Sequence, residues 1–195
     1  MKPTTRLAIM LGTLISAQSE AALLTFAPLH QTVELGETVN VDIHISGLTG
    51  FDALGAFDLD LEFDDSILGF SGVSFGTQLD LFGFGSLQDA SASGGVVDVS
   101  EVSMDLPFDL EDFQLDDFVL ATIEFNADAL GTSTLSYSQT ILSDAWGIGF
   151  DPDLETGWIQ VIAPTSVPEP NILTLLLLSA AGVAGLRVKK KNSGY

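Results

Sequence analysis

Phe57-Asp-Leu-Asp-Leu-Glu-Phe-Asp64 decides the fold class, because every second residue is apolar and every residue between is acidic. Side chains on a strand point alternately to opposite faces, so this octet has one buried face and one wet face. Val39 to Ser46 repeats the pattern, with Val39, Val41, Ile43 and Ile45 set against Asn40, Asp42, His44 and Ser46. Val119 to Asn126 reads the same way, with Val119, Ala121, Ile123 and Phe125 expected inside. One-sided burial is the habit of antiparallel sheets. Shorter runs at 96–102, 132–138 and 158–162 add strands, and turn signals separate them at Leu35-Gly-Glu37, Gly47 to Gly50, Asp64-Asp-Ser66, Gly94-Gly95 and Ala129-Leu-Gly131. No long segment of helical period appears between 23 and 163, and Met104 to Phe118 reads as a long loop or short helical turn. The expectation is an all-β antiparallel sandwich.

Charge narrows the function. The 195 residues carry 27 Asp+Glu against 6 Lys+Arg, for a formal net charge of -21. No Lys or Arg stands between Leu7 and Leu186. Without cations to meet phosphates, the body is not a nucleic-acid binder. The chain holds no cysteine, which removes disulfides, thiolate nucleophiles and cysteine-ligated metals. Two histidines, His30 and His44, leave little for a histidine metal site.

The basic residues mark the ends. Lys2 and Arg6 precede the apolar stretch Leu7 to Ile15, and small residues follow, with Ser19 and Ala21 spaced for cleavage after Ala21. This order predicts a signal peptide over 1–21 and export of the body, 22–163. Residues 164–170 form a proline-rich stalk containing Val167-Pro168-Glu169-Pro170. An uncharged apolar run follows, predicting a membrane helix over 171–188. At about 1.5 Å per residue it is short for a bilayer core of about 30 Å, and Arg187 must snorkel to the headgroups. Lys189, Lys190 and Lys191 belong on the cytoplasmic side within the tail 189–195, which leaves the acidic body outside an anchoring membrane.

Val-Pro-Glu-Pro, a short apolar helix and an Arg/Lys tail together resemble the PEP-CTERM sorting signal of Gram-negative bacteria. The resemblance implies recognition of the motif by an exosortase, cutting of the precursor from the inner membrane, and a destination at the cell surface or in an exopolysaccharide matrix. The body carries a second resemblance. Leu35-Gly-Glu-Thr-Val-Asn-Val41, Gly55 to Leu68, Leu120 to Phe125, Gly131 to Tyr137 and Leu142-Ser-Asp144 are similar, in order and spacing, to the phrases of a cohesin domain. That family implies a nine-stranded jelly-roll sandwich that binds dockerin modules without catalysis, and related sandwiches bind polysaccharide.

Three chemistries compete for the side chains. A glycoside hydrolase would need two facing carboxyls, one with a raised pKa. The stripe Asp58, Asp60, Glu62 and Asp64 instead shares one exposed strand face, where ionised, solvated groups belong. Calcium would take six to eight oxygen ligands, and Asp151, Asp153 and Glu155 are its candidates. Their loop is not an EF-hand, with glycine seventh and Ile162 in the place of the bidentate Glu. The alternative is a solvated acidic surface needing no cofactor. Sugar binding would use exposed aromatics, for which Trp146 and Trp158 are the candidates, with Tyr137 and Phe82-Gly-Phe84 behind them; burial in the core is the alternative.

Overall fold

The structure, a computed structural model, describes residues 22–48 and 53–165. The signal peptide, Val167 to Pro170, the 171–188 helix, and the cluster Arg187, Lys189, Lys190 and Lys191 lie outside the described residues. Among those described, no helix is long and apolar enough to cross a membrane. The chain divides into two units at Ile162/Ala163; the described part of the second, 163–165, has no regular structure.

The first unit contains two facing sheets. In chain order its strands are β1 (Leu23–Ala27), β2 (His30–Glu34), β3 (Thr38–Ser46), β4 (Leu54–Glu62), β5 (Leu68–Phe75), β6 (Ser86–Ser93) and β7 (Val96–Ser103). Among the described residues a single helix, α1 (Pro107–Phe113), precedes β8 (Phe118–Ala127), β9 (Gly131–Asp144), β10 (Gly149–Phe150), β11 (Asp153–Leu154) and β12 (Gly157–Ile162). One sheet runs β11-β1-β3-β8-β5; the other runs β2-β12-β9-β4-β7-β6, with β10 attached to β9. β1 and β2 act as one strand that changes sheets around Pro28, the first pairing with β3 and the second, in parallel, with β12.

Alternation builds the core as expected. Val39, Val41, Ile43 and Ile45 from one sheet meet Phe57, Leu59 and Leu61 from the other, all buried. Phe26, Phe125, Leu54, Val97, Val99, Leu135, Ile159 and Val161 complete the layer. Burying each large apolar side chain contributes about 1.5–3 kcal/mol, which is why the pattern overrides local propensity. Every buried apolar residue described lies between Leu24 and Val161, so the body carries its own complete core.

Two expectations need correction, and one open alternative is resolved. In β8 the inward residues are Leu120 and Ala121 together, with Val119 only half-buried, because the register against β3 slips between Ile43 and His44. A bulge of this kind sets two residues against one and reverses the alternation beyond it. Tyr137 is no surface platform; it stacks on Phe26 at 4.7 Å within the core, and burial pushes its hydroxyl pKa upward. The Met104 to Phe118 segment resolves in favour of the helical turn. Pro107 opens α1, where a missing N–H costs nothing, and Leu110 is its buried residue. Gln114 ends it, accepting the Leu54 N–H and donating to the Leu54 and Gln78 carbonyls, so the helix is tied to the start of β4.

The outer face of the second sheet is where the acids collect. Asp60 and Asp98 stand directly opposite each other, with Asp58 and Asp89 nearby on β4 and β6. Desolvation and then the neighbouring carboxylates Asp58, Asp60 and Asp89 push the Asp98 pKa upward. A raised folded pKa means that the fold disfavours the charged form. The penalty is absent below the ordinary carboxylate range, full above the raised value, and therefore complete at neutral pH. Asp98→Asn is expected to stabilise the protein at pH 7 by about 0.5 kcal/mol after allowing for solvent screening, and to lose that advantage on acidification. Urea unfolding at pH 7 and pH 3.5 measures both.

Candidate protein-docking surface

Strand registers bring four chain segments to one end of the sandwich. Ala56 near the start of β4 pairs with Val102 at the end of β7, Val102 pairs with Leu87 at the start of β6, and Ala56 also faces Ser143 at the end of β9. Loops leaving these strands carry α1 and the turn Ala145 to Ile148 to the same end. That end is unusually apolar for a surface. Leu87, Phe108 and Ile148 are each about two-thirds exposed, and Phe84, Phe113, Met104, Leu106 and Ile141 are exposed as well. Scattered exposed apolar residues are ordinary, but a concentration of aromatics at one end marks an interaction surface.

The aromatics are held in place. Asp144 caps its turn by accepting the N–H groups of Trp146 at 2.9 Å and Ile148 at 2.8 Å, and Gly147 supplies the positive φ of 81° that closes it. The Ala145 N–H donates to the Ala53 carbonyl, docking the turn on the start of β4. Trp146, 51% exposed, donates its indole N–H to Glu111 Oε1 at 2.6 Å and meets Phe108 edge-on at 5.0 Å. Phe82 meets Phe113 edge-on at 5.6 Å. A rigid amphipathic ring, already oriented by a carboxylate, loses little entropy when a partner covers it. Asp109, Glu111 and Asp112 on α1, with Asp58 and Asp89 on the sheet, place negative charge around these aromatics.

The other candidate residues fall elsewhere. Trp158 lies on the outer face of β12, half-buried, stacked on His30 at 4.8 Å. Seven steps along β9 lead from Thr134, its cross-strand neighbour, to Ile141, about 24 Å at a strand's rise, so the two tryptophans belong to different places. His44 is at the surface end of β3, its Nε2 3.5 Å from Asp117 Oδ1. Asp151, Asp153 and Glu155 do not converge. Their segment forms an edge strand, with the Asp153 N–H on the Ala22 carbonyl, the Glu155 N–H on the Leu24 carbonyl, and the Glu155 carboxylate on the Thr25 hydroxyl at 2.8 Å. Among the described residues no three carboxylates or histidines lie close enough to hold a metal ion.

Phe108, Phe113, Leu87 and Ile148 are site residues that the sequence reading did not single out. Phe108 and Phe113 were hidden in an acidic stretch without a clear period. The available signal was the Leu106-Pro107 pair opening a helix directly after a strand.

Glu101 is buried on the inner side of β7, with one carboxylate oxygen accepting from the Ser86 hydroxyl at 2.6 Å and the Gln88 amide at 2.8 Å. It pins edge strand β6 to β7 under the apolar end, and Asp105 does the same for the preceding loop by accepting the Leu81 N–H at 2.7 Å. These buried carboxylates brace the surface and take no part in it.

No family model matches the chain, and no curated protein matches it. Solved structures do. The seventh ScaB type I cohesin from Pseudobacteroides cellulosolvens is 16% identical, with a TM-score of 0.62 over 77% of this chain and 97% of that one. A type I cohesin–dockerin complex from Clostridium thermocellum gives 13% identity and a TM-score of 0.61, covering 73% of this chain and all of the other. A non-cellulosomal cohesin from the hyperthermophilic archaeon Archaeoglobus fulgidus gives 16% and 0.55 over 73% of this chain and 91% of that one. At such identities the likeness is one of fold: the body is a cohesin-like β-sandwich.

Proposed function

We propose that this chain is an exported, non-catalytic protein-binding module whose partner is a dockerin-like helical module with a basic surface. The observation that carries the reading is the apolar end built from Trp146, Phe108 and Phe113 and rimmed by carboxylates, on a body with no Lys or Arg to compete for them. Such a surface favours a partner that brings aliphatic or aromatic side chains for the centre and Lys or Arg for the rim. The complex found among the structural neighbours, a cohesin holding a dockerin, supports the choice of partner class. A hydrolase is not favoured: Asp58 and Asp60 line open strands, and Asp64, which does line a groove with Glu62, is held below the usual carboxylate pKa by the Ser66 hydroxyl and N–H, the opposite of what a general acid needs.

The ends of the chain fit presentation of this module outside the cell. In this reading the signal 1–21 is removed, the exosortase recognises Val167 to Pro170, and the chain beyond Pro170 is left in the membrane. The mass of surface-released protein is expected to match a chain lacking both ends; a released species retaining Lys189 to Lys191 overturns the sorting assignment.

Calorimetric titration with dockerin modules from the source organism tests the binding function itself. A saturable 1:1 isotherm with at least one module is expected, weakening as NaCl rises because the rim pairs are screened. Heat of dilution alone for all of them overturns it.

A further inference from the structure

The second sheet ends in a strand that is paired on one side only. Among the described residues β6 pairs with β7 alone, and the register runs unbroken from Ser86↔Ser103 to Ser93↔Val96. Its free side therefore presents N–H and C=O groups, from alternate residues, to any strand that comes alongside.

Proteins usually blunt such an edge. The other sheet ends follow that habit. β11 has two residues, β5 breaks register between Phe70 and Gly72, and β2 has five residues, with the Gln31 amide donating to the Asn40 carbonyl of β3. β6, Ser-Leu-Gln-Asp-Ala-Ser-Ala-Ser, has no proline, no lysine and no bulge, and it is exposed from Leu87 to Ser93. Glu101 fastens it to β7 by accepting from the Ser86 hydroxyl and the Gln88 amide.

The two faces beside this edge define the strand that fits it. Ala90 and Ala92 pair with the buried Val99 and Val97 and so point inward, yet both are exposed, because no described strand lies beyond them. A neighbour with small or β-branched apolar residues covers them. On the outer face Asp89 is the edge carboxylate, and Ser91 stands between the edge and Asp98. Strands lie about 4.8 Å apart, so a lysine or arginine opposite Ser91 reaches over that short side chain to Asp98. Residues two apart on a strand are about 6.8 Å apart, so cations at every second position meet Asp89 and Asp98 in turn. A second copy of this chain has no Lys or Arg between Leu7 and Leu186 and brings only acids to the same place. We infer that the β6 edge takes an extended basic segment of another protein as an added strand, with Lys or Arg alternating with small apolar residues. Residues 89–93 carry this site, so it does not use the apolar end.

The test uses the full chain in a non-ionic detergent, with acetyl-Lys-Val-Lys-Thr-Lys-Val-Lys-Thr-amide as the probe. Calorimetry is expected to give a saturable isotherm with a micromolar to millimolar Kd, weakening as NaCl rises. A peptide of the same composition with its four lysines consecutive keeps the charge, loses the alternation, and is expected to bind about tenfold or more weaker. Asp89→Lys, at an exposed position, is expected to weaken binding of the alternating peptide about fivefold or more. Amide exchange followed residue by residue on the parent supplies a readout that charge alone does not move. It is expected to slow at alternate residues of 86–93, those whose N–H groups point away from β7. Absence of binding, equal binding of the two peptides, undiminished binding by Asp89→Lys, or unchanged exchange in β6 each overturns the inference. So does sedimentation of the chain alone as a dimer with those amides already slow, which would give the edge to a second copy.

Discussion

Between 10 mM and 500 mM NaCl at pH 7, the melting temperature is expected to rise by about 5 °C or more. Of the 27 carboxylates, all but Glu20 and Glu169 fall in the body, and no Lys or Arg lies there to pair them. Hydrogen bonds answer a few of them, such as Glu155 on Thr25, Glu111 on Trp146 and Glu101 on Ser86 and Gln88. Others face each other: Asp60 stands opposite Asp98, whose pKa is raised by desolvation and then by this crowding. Unfolding spreads these charges, so repulsion favours the unfolded chain until ions screen it, over about 10 Å at 0.1 M salt. Because no three carboxylates converge among the described residues, calcium is expected to act no better than magnesium at equal ionic strength. A melting curve unmoved by salt contradicts this account of the surface.

Replacing Trp146 by Ala together with Phe108 by Asp is expected to weaken dockerin binding about 100-fold or more, with little change in melting temperature. The magnitude follows from hot-spot behaviour, in which a central tryptophan alone accounts for about 2 kcal/mol or more. Neither side chain belongs to the core; both are more than half exposed, they meet edge-on, and Trp146 also donates to Glu111. Their removal should therefore be felt by a partner and not by the fold. A matched pair on the opposite sheet, Ser74→Ala with Thr122→Ala, should leave affinity within about twofold. Equal losses from both pairs would mean that the apolar end is not where the partner sits.

Legibility in the sequence followed the strength of one-sided burial. Phe57 to Glu62 and Val39 to Ser46 read correctly because each inward residue is apolar and each outward one polar. Ser86-Leu-Gln-Asp-Ala-Ser-Ala-Ser93 could not be read as a strand: it is an edge strand exposed on almost every residue, so no period marks it. Its pairing comes from the ladder with β7 and from buried Glu101, neither of which is a local property. The β8 bulge is equally non-local, since Val119 and Leu120 are both plausible core residues and only the register against β3 selects Leu120. The two tryptophans were visible as aromatics, but not their settings. Trp146 depends on a contact with Glu111, 35 residues away, and Trp158 on a register with His30 that forms only when β2 closes the sheet.

Hydrogen exchange on the chain alone and saturated with a bound dockerin module tests the central claim most directly. The account predicts protection concentrated in α1, in residues 144–148 after β9 and at the adjoining ends of β6 and β7. The outer faces of β3, β5 and β8 should exchange as they do in the free chain. Protection on that second face, with α1 and the Trp146 turn unchanged, would contradict it.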